Sequence, residues 1–440
     1  MGVYLVGVFI GALDNNVVGP VFPLLMRGFG VSLAWVGWTV SAYTVAYVAS
    51  TVLAGAMGDR WGHQRLFRWG VTAFGAASLL AALSRVYWLF IVARLIQGAG
   101  AGAVYPNAQA EALRHFPREK QGTALGLFGA VFGLAAILGP VVGGALGQYL
   151  GWPAVFWVNV PVVLVTLALA RRLPPARVEI RPLPDLAGGL AFSGLIAGAL
   201  LAFMDSGAAR WAWLGAAVVL AAGFVWRQRR ALEPFLETAP LANGAGVALM
   251  VGAALIGFDM ASAVFVPTLG QRELGFTVLQ SGLSLLPAAL SGAVLSGVGG
   301  VLVDRLGPRP VLVVGLLAAA VGGVLLAAPH LDTGRFLLAM AVMGMGTAFT
   351  MGAPLNRIGV ALFREDQAGQ ALALMALFRS VGLAAGPVLL TLAAAGRGFS
   401  GMFGAVAAAS AVGAVLFAAV PMGGGDRSQG RRGEGPAALG

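Results

Sequence analysis

Cysteine is absent from this 440-residue chain, lysine occurs once, as Lys120, and histidine three times. The first absence excludes disulfides and thiolate chemistry. Three scattered histidines argue against a metal centre, and no cofactor is expected. No Gly-x-x-x-x-Gly-Lys phosphate loop is present, so ATP is not the expected energy source. Charge is scarce as well, at 10% of residues, where soluble domains carry roughly a quarter. The net charge of +11 would suit a polyanion, but the basic residues are spread over many short loops and form no patch, so no nucleic-acid partner is expected. The N-terminus lacks a basic region and its first apolar run is interrupted by Asp14, which argues against a cleavable signal. The chain enters that run almost at Met1, leaving open a tail ahead of it.

Apolar residues make up 59% of the chain, and glycine occurs 66 times. Membrane helices tolerate glycine and use it for close packing. A span needs about 20 apolar residues. By that measure fourteen spans are predicted, near 3–25, 35–57, 66–84, 87–108, 121–146, 153–170, 186–204, 211–226, 242–267, 278–302, 310–328, 335–356, 368–393 and 399–421. The eighth is the shortest. The breaks fall at charged or Gly/Pro positions.

The stretch Gly55-Ala-Met-Gly-Asp-Arg-Trp-Gly-His-Gln-Arg65 is echoed at Gly300-Val-Leu-Val-Asp-Arg-Leu-Gly-Pro-Arg-Pro310. Gly55, Asp59, Arg60 and Gly62 align with Gly300, Asp304, Arg305 and Gly307 at one constant offset, which also places Asp14 on Asp259. Gly139-Pro140 falls within about two residues of Gly386-Pro387 by the same offset. A repeat this long in an apolar chain is the mark of a duplicated transporter. It divides the chain into a six-helix bundle (1–171), an inserted two-helix hairpin with its linkers (172–240), a second six-helix bundle (241–421) and a disordered tail (422–440). The flanks Arg171–Asp185 and Arg227–Pro240 read as charged, proline-rich linkers.

Orientation follows from arginine. If both termini share one side, that side collects most of the 28 basic residues. The opposite loops hold only Arg27, Arg85, Arg210, Arg272, Arg335 and Arg397. Arg94, Arg357 and Arg379 lie within spans or at their ends. The positive-inside rule then puts both termini in the cytoplasm of a multi-pass cell-membrane protein.

Asp14 lies near mid-membrane by its place in the first span, and Asp259 lies beyond the middle of the ninth. A carboxylate in hydrocarbon costs several kcal/mol unless paired, solvated or protonated. Such a group suits proton carriage, and it also suits a structural hydrogen bond to a neighbouring helix. Arg94, near Gln97, and Arg379, near Ser380, are deep enough to pair with it, whereas Arg357 can snorkel from a helix end. Gly122, Gly126, Gly129, Gly133, Gly139, Gly143 and Gly147 recur along the fifth span, with Pro140 as a kink. Small residues on one face allow close backbone approach, as plain packing or as a seam that seals and slides. Phe22, Trp35, Trp38, Tyr43, Tyr47, Phe128, Phe132, Phe258 and Phe265 are candidates for lining a cavity, or for packing and lipid contact.

The loop at 55–65 resembles the signature between helices two and three of the major facilitator superfamily. Arg94-Leu-Ile-Gln-Gly98 resembles its helix-four signature, and Gly139-Pro-Val-Val-Gly-Gly144 the helix-five signature associated with antiporters. Leu13-Asp-Asn-Asn-Val-Val, Trp152-Pro-Ala-Val-Phe-Trp-Val-Asn-Val-Pro161, the hairpin, and Gln271 with Gly275 and Ser281-Gly282 are similar to the 14-helix drug:proton antiporter branch. The resemblance covers nearly the whole chain. It departs from that branch at Asn15-Asn-Val-Val-Gly-Pro20, so substrate contacts there do not carry over.

The resemblance implies an all-α polytopic membrane protein of two pseudo-symmetric six-helix halves plus the hairpin, working by alternating access. It supports Asp14 and links Arg94 to proton transfer, while the arginine that Arg379 resembles has no clear role; with the buried Asp259, these four are the candidate proton-coupling and substrate residues. A gate that latches the outward-facing state falls to Gly58, Asp59, Arg60 and Gly62, with Asp304 and Arg305 in the second half. Gly139, Pro140, Gly143 and Gly144 form the antiporter motif. The expected partners are a small molecule, protons and the bilayer, and the expected state is a monomer. The expected function is non-enzymatic: proton-coupled export of lipophilic, cationic compounds. Two alternatives stay open, an exporter of a metabolite or organic anion and a membrane receptor without transport.

Because the chain has no cysteine, its topology can be read with single introduced cysteines. Ala208→Cys is expected to label from outside in intact cells and Ala176→Cys to stay protected; the reverse pattern rules out the inserted hairpin.

Overall fold

The computed structural model describes residues 1–115, 117, 121–171, 185–204, 207–230, 244–351, 353–362 and 368–419. All regular structure among them is helical. In chain order the helices are α1 (Gly2–Val17), α2 (Phe22–Phe29), α3 (Leu33–Trp61), α4 (His63–Leu83), α5 (Tyr87–His115), α6 (Gln121–Leu150), α7 (Ala154–Trp157) and α8 (Asn159–Ala170). There follow α9 (Leu186–Met204) and α10 (Gly207–Gln228), then α11 (Gly244–Ala261), α12 (Val266–Glu273), α13 (Val278–Leu283), α14 (Leu286–Leu306) and α15 (Pro308–Ala327). The chain continues through α16 (Thr333–Thr350), α17 (Ala353–Leu362), α18 (Ala368–Ala393) and α19 (Gly398–Ala419).

Each predicted span falls on helix. Among the described residues 12 helices are long and apolar enough to cross a membrane, and two shorter apolar ones occupy Ala154–Ala170 and Ala187–Phe203. This is an all-helical, multi-pass membrane protein with 12 to 14 candidate spans. The eighth span is longer than its sequence suggests. α10 starts at Gly207, and Arg210 in its first turn donates from Nε to the carbonyl of Ala202 at 3.1 Å. The expected tail and most of both linkers lie outside the described residues. Asp185 and Arg227, at the linkers' inner ends, pair at 2.7 Å. They tie the start of α9 to the end of α10.

The repeat is visible in the backbone. The first span breaks at a 3-10 turn, Gly19–Val21, where Pro20 interrupts helical bonding. The ninth breaks likewise at Ser262–Val264, ahead of Pro267. Asp14 and Asp259 each sit about one turn before their break. The two charged turns match as well. Gly62 and Gly307 end α3 and α14 with φ of 93° and 84°, a region that residues with a Cβ rarely enter.

Packing differs between the two ends of the bundle. At the end away from the Asp59 and Asp304 turns, one core joins both sets of helices. Val17, Phe22 and Leu25 pack there with Phe265, Val266 and Phe336, and Phe22 meets Phe265 edge-on at 5.7 Å. Gln271 donates to the carbonyl of Pro20 at 2.9 Å, and Gln148 accepts from the backbone N–H of Val278 at 3.0 Å. At the other end the cores are separate. Tyr4, Phe67, Phe74 and Val104 form one, while Leu249, Ile256, Leu316 and Phe417 form another that takes only Val48 from α3 as a buried member.

The glycines of α6 follow this division. A methyl at Gly143 would land on the carbonyl oxygen of Val17, one at Gly139 on Asn16, and one at Gly144 within 2.9 Å of the Val278 carbonyl. Gly282 on α13 comes equally close to the Pro140 carbonyl. Gly126, Gly129 and Gly133 meet nothing within 4 Å. The seam therefore runs along only one half of α6, and the sequence periodicity overstates its length. Gly143→Ala is expected to cost about 1–3 kcal/mol through overpacking, whereas Gly129→Ala should change stability by about 0.5 kcal/mol or less. Thermal unfolding in detergent compares the two; equal effects would contradict a seam confined to one end.

Candidate functional site

Asp14 and Arg94 are fully buried, and their side chains meet at 2.5 Å. Five helices build the surrounding cluster. Gln97, one turn along α5 from Arg94, accepts from its Nη1 at 2.6 Å and donates to Asp14 at 2.9 Å. Asn159, at the start of α8, donates to the same carboxylate oxygen at 2.7 Å. Ser78 of α4 accepts from Gln97 at 2.8 Å and from Asn159 at 3.3 Å. From α3 the carbonyl of Thr39 takes the Arg94 Nε at 3.1 Å. The Tyr43 ring lies 4.5 Å from the guanidinium carbon, in cation–π range. Desolvating two charges is costly, and the mutual attraction offsets that cost only where the remaining lone pairs and protons are satisfied. Here the carboxylate accepts three hydrogen bonds.

The second repeat keeps the acid and drops its partners. Asp259 is buried, with Ser410 Oγ of α19 at 3.4 Å and no ion pair among the described residues. Counted from the starts of their helices, Arg94 and Gln97 of α5 correspond to Met340 and Met343 of α16, both in the apolar core. Arg379 does not compensate for this. Its Nη1 lies 3.7 Å from the Met351 sulfur, and its electrostatic neighbours are Tyr47 and Tyr105 of the first set of helices. The structure thus brings Asp14 and Arg94 together and leaves Asp259 and Arg379 apart.

At the first charged turn, Asp59 Oδ1 lies 3.1 Å from His63 Nε2, and His63 Nδ1 lies 2.8 Å from Asn107 Oδ1 on α5. Gly58 has to be glycine, since a Cβ there would collide with the Asn107 oxygen and the His63 ring. Arg60 occupies the last turn of α3. At the second turn Asp304 pairs with Arg357 at 2.6 Å, both side chains more than half exposed. Arg305 sits in the last turn of α14. Arg357 looked in the sequence like a snorkelling helix end and instead closes this contact from α17. Gly139, Pro140, Gly143 and Gly144 line the closed seam against α1 and α13. Ser78, His63 and Asn107 were not singled out from sequence. For Ser78 and Asn107 the signal is a polar side chain in a mostly apolar helix, and for His63 a place in the charged turn; neither names a partner.

The family model described as Major Facilitator Superfamily matches residues 4–387 and, in a second match, 247–438. The chain belongs to this superfamily. Among its relatives, the uncharacterized MFS-type transporter YfiU of Bacillus subtilis is 30% identical over 405 residues, covering 88% of this chain and 78% of its own length. The tetracenomycin C resistance and export protein of Streptomyces glaucescens is 33% identical, covering 79% of this chain and 66% of its own. The puromycin resistance protein of Streptomyces alboniger is 32% identical over 90% and 81%. The fold matches a peptide transporter POT in complex with sulfate (TM-score 0.72, 16% identity, 95% and 93% covered). It also matches a D-xylose-proton symporter (TM-score 0.69, 16% identity, 94% and 95% covered). The chain is therefore a major facilitator superfamily transporter, whose relatives include named multidrug and antibiotic resistance exporters.

Removing one partner of the buried pair leaves the other charge uncompensated. Asp14→Asn and Arg94→Gln are each expected to destabilise by about 3–5 kcal/mol. The double variant should cost about 0.5–3 kcal/mol less than the sum, since the sites couple directly. Additive losses in a thermal-unfolding cycle would show that the two charges do not interact.

Proposed function

We propose that this transporter exports lipophilic, cationic compounds in exchange for protons by alternating access. It would sit in the cell membrane with fourteen spans, both termini cytoplasmic and the hairpin α9–α10 inserted between two six-helix halves. The observation that carries the proton coupling is the unequal pair of buried acids. Asp14 is held by a cation and two further hydrogen bonds, while Asp259 has one hydroxyl beside it. An unpaired carboxylate in hydrocarbon is costly unless protonated, which suits Asp259 to carry a proton through the cycle. Asp14 couples differently. Taking up a proton there would cancel its attraction for Arg94 and loosen α1 from α5. Export as the direction of transport rests on the relative named a tetracenomycin C resistance and export protein. With the termini cytoplasmic, the end where one core joins both sets of helices lies outside.

A second reading has its own support. Arg379 faces the other set of helices with a thioether and two phenols near it, surroundings that suit the acid group of an aromatic anion. On that reading Arg379 is the substrate ligand and the cargo is an organic anion.

Proteoliposomes carrying a pH gradient, offered a lipophilic cationic dye and an aromatic carboxylate in turn, separate the two. Each pH unit supplies about 1.36 kcal/mol per proton, so dye should accumulate uphill and stop when the gradient is collapsed. Asp259→Asn is expected to abolish uphill movement while retaining dye binding. Transport of the carboxylate alone, dependent on Arg379, would overturn the cationic assignment. Undiminished uphill transport in Asp259→Asn would remove that residue from coupling.

A further inference from the structure

α10 packs against α9 and turns most of its length outward. Trp211, Val218, Val219 and Trp226 are each more than half exposed. On this face Val218, Ala222, Val225 and Arg229 follow one another at helical spacings, with Ala221 and Trp226 beside them and Arg230 one turn beyond Trp226. The two alanines leave a shallow groove between the larger side chains, and the two arginines close its end. From Val218 to Arg230 the helix rises about 18 Å, against about 15 Å for the hydrocarbon of one leaflet. The groove is thus as long as one leaflet is deep, and it carries charge only where headgroups lie.

The three arginines at this end are not equivalent. Arg227 is neutralised by Asp185, whose Oδ1 lies 2.7 Å from its Nε. Arg230 lies over the Trp226 ring, its guanidinium carbon 4.8 Å from the ring centre. A ring takes up one face of a guanidinium and leaves the N–H edge for an anion. Arg229 is exposed and makes no ion pair among the described residues. Two positive charges therefore stand at the headgroup end of an apolar groove. A guanidinium meets a phosphate through two parallel hydrogen bonds, which suits it to this depth of the membrane.

We infer that this groove is a binding site for an anionic phospholipid, its phosphate held by Arg229 and Arg230 and an acyl chain laid along Ala221 and Ala222. Charge complementarity selects this occupant over a second copy of the chain. In a two-fold dimer the same face meets itself, and an axis along the membrane normal would keep the arginines of both copies at one depth, charge against like charge. A zwitterionic lipid lacks the net negative charge that two arginines attract. The site is separate from the mid-membrane acids and from the charged turns. It rests on the chain being a membrane protein, whatever it transports and in whichever direction.

Native mass spectrometry of the detergent-purified full chain tests this with phosphatidylglycerol and phosphatidylcholine of identical acyl chains. The parent should retain phosphatidylglycerol at about tenfold lower lipid concentration than phosphatidylcholine, the ratio that one charge-assisted contact supports. Arg229→Gln combined with Arg230→Gln should abolish that preference. Arg171→Gln combined with Arg305→Gln removes the same charge from two other exposed positions and should leave it intact. Ala222→Trp fills the groove from an exposed position and should lower phosphatidylglycerol retention. Glycerol phosphate, an anion without acyl chains, should not displace the lipid. No preference in the parent, or one that survives loss of Arg229 and Arg230, would overturn the site. So would a preference lost equally in the Arg171 and Arg305 control, or retention indifferent to Ala222→Trp. A dimer that Ala222→Trp dissociates would put a second copy in the groove instead, and displacement by glycerol phosphate would leave an anion site with no use for the groove; either result refutes the lipid.

Discussion

A membrane interior offers no water to a polar group, so every buried donor, acceptor and charge must be satisfied by the protein itself. The first set of helices is arranged around that constraint. The ion pair of Asp14 and Arg94 draws Thr39, Ser78, Gln97 and Asn159 toward one point, and with them five helices. Apolar packing in lipid has little directional preference, because lipid tails are as apolar as the side chains. The polar cluster supplies the direction. Its geometry sets how α1, α3, α4, α5 and α8 meet, and glycine then lets their backbones approach.

The second set meets the same constraint with less. Methionines stand where Arg94 and Gln97 would be, and Asp259 keeps only Ser410. One duplicated architecture thus carries a paired, hydrogen-bonded charge cluster on one side, with Arg94 Nη2 still unpartnered, and a nearly bare acid on the other. The two charged turns show a similar inequality. Asp59 sits in a part-buried hydrogen-bond chain through His63 to Asn107, whereas Asp304 makes an exposed pair with Arg357 that contributes about 1 kcal/mol or less. Duplication preserved the helix breaks and the positive-φ glycines, while the chemistry of the halves diverged.

The fold was legible because its signals are categorical. Long apolar runs, charged turns and a repeated Asp-Arg-x-Gly need no knowledge of partners. Asp14 and Arg94 were legible as unusual residues, since a charge in an apolar span stands out. What pairs with what was less so. Arg94 and Arg379 look alike in the sequence, yet one meets a carboxylate and the other lies near two tyrosines across the interface. Asn159 and Asn107 cost little to place in an apolar run, so nothing in the run marks them as central. The glycine periodicity of α6 was visible throughout, but periodicity carries no information on whether a neighbour is present. Only the packing distinguishes Gly143, pressed on Val17, from Gly129, which touches nothing.

The 3-10 turns at Gly19–Val21 and Ser262–Val264 have a mechanical consequence. A continuous helix transmits displacement along its whole length like a rod. Broken where Pro20 and Pro267 interrupt the backbone ladder, the first span of each repeat behaves as two rods joined at a knuckle. The inner rods, α1 and α11, carry the acids and stay with their own bundles. Contacts between the two sets gather at the knuckles themselves, where Phe22 packs on Phe265 and Gln271 of α12 reaches Pro20. Bending at the knuckles is taken up beyond the acids, so it need not lengthen the contact of Asp14 with Arg94.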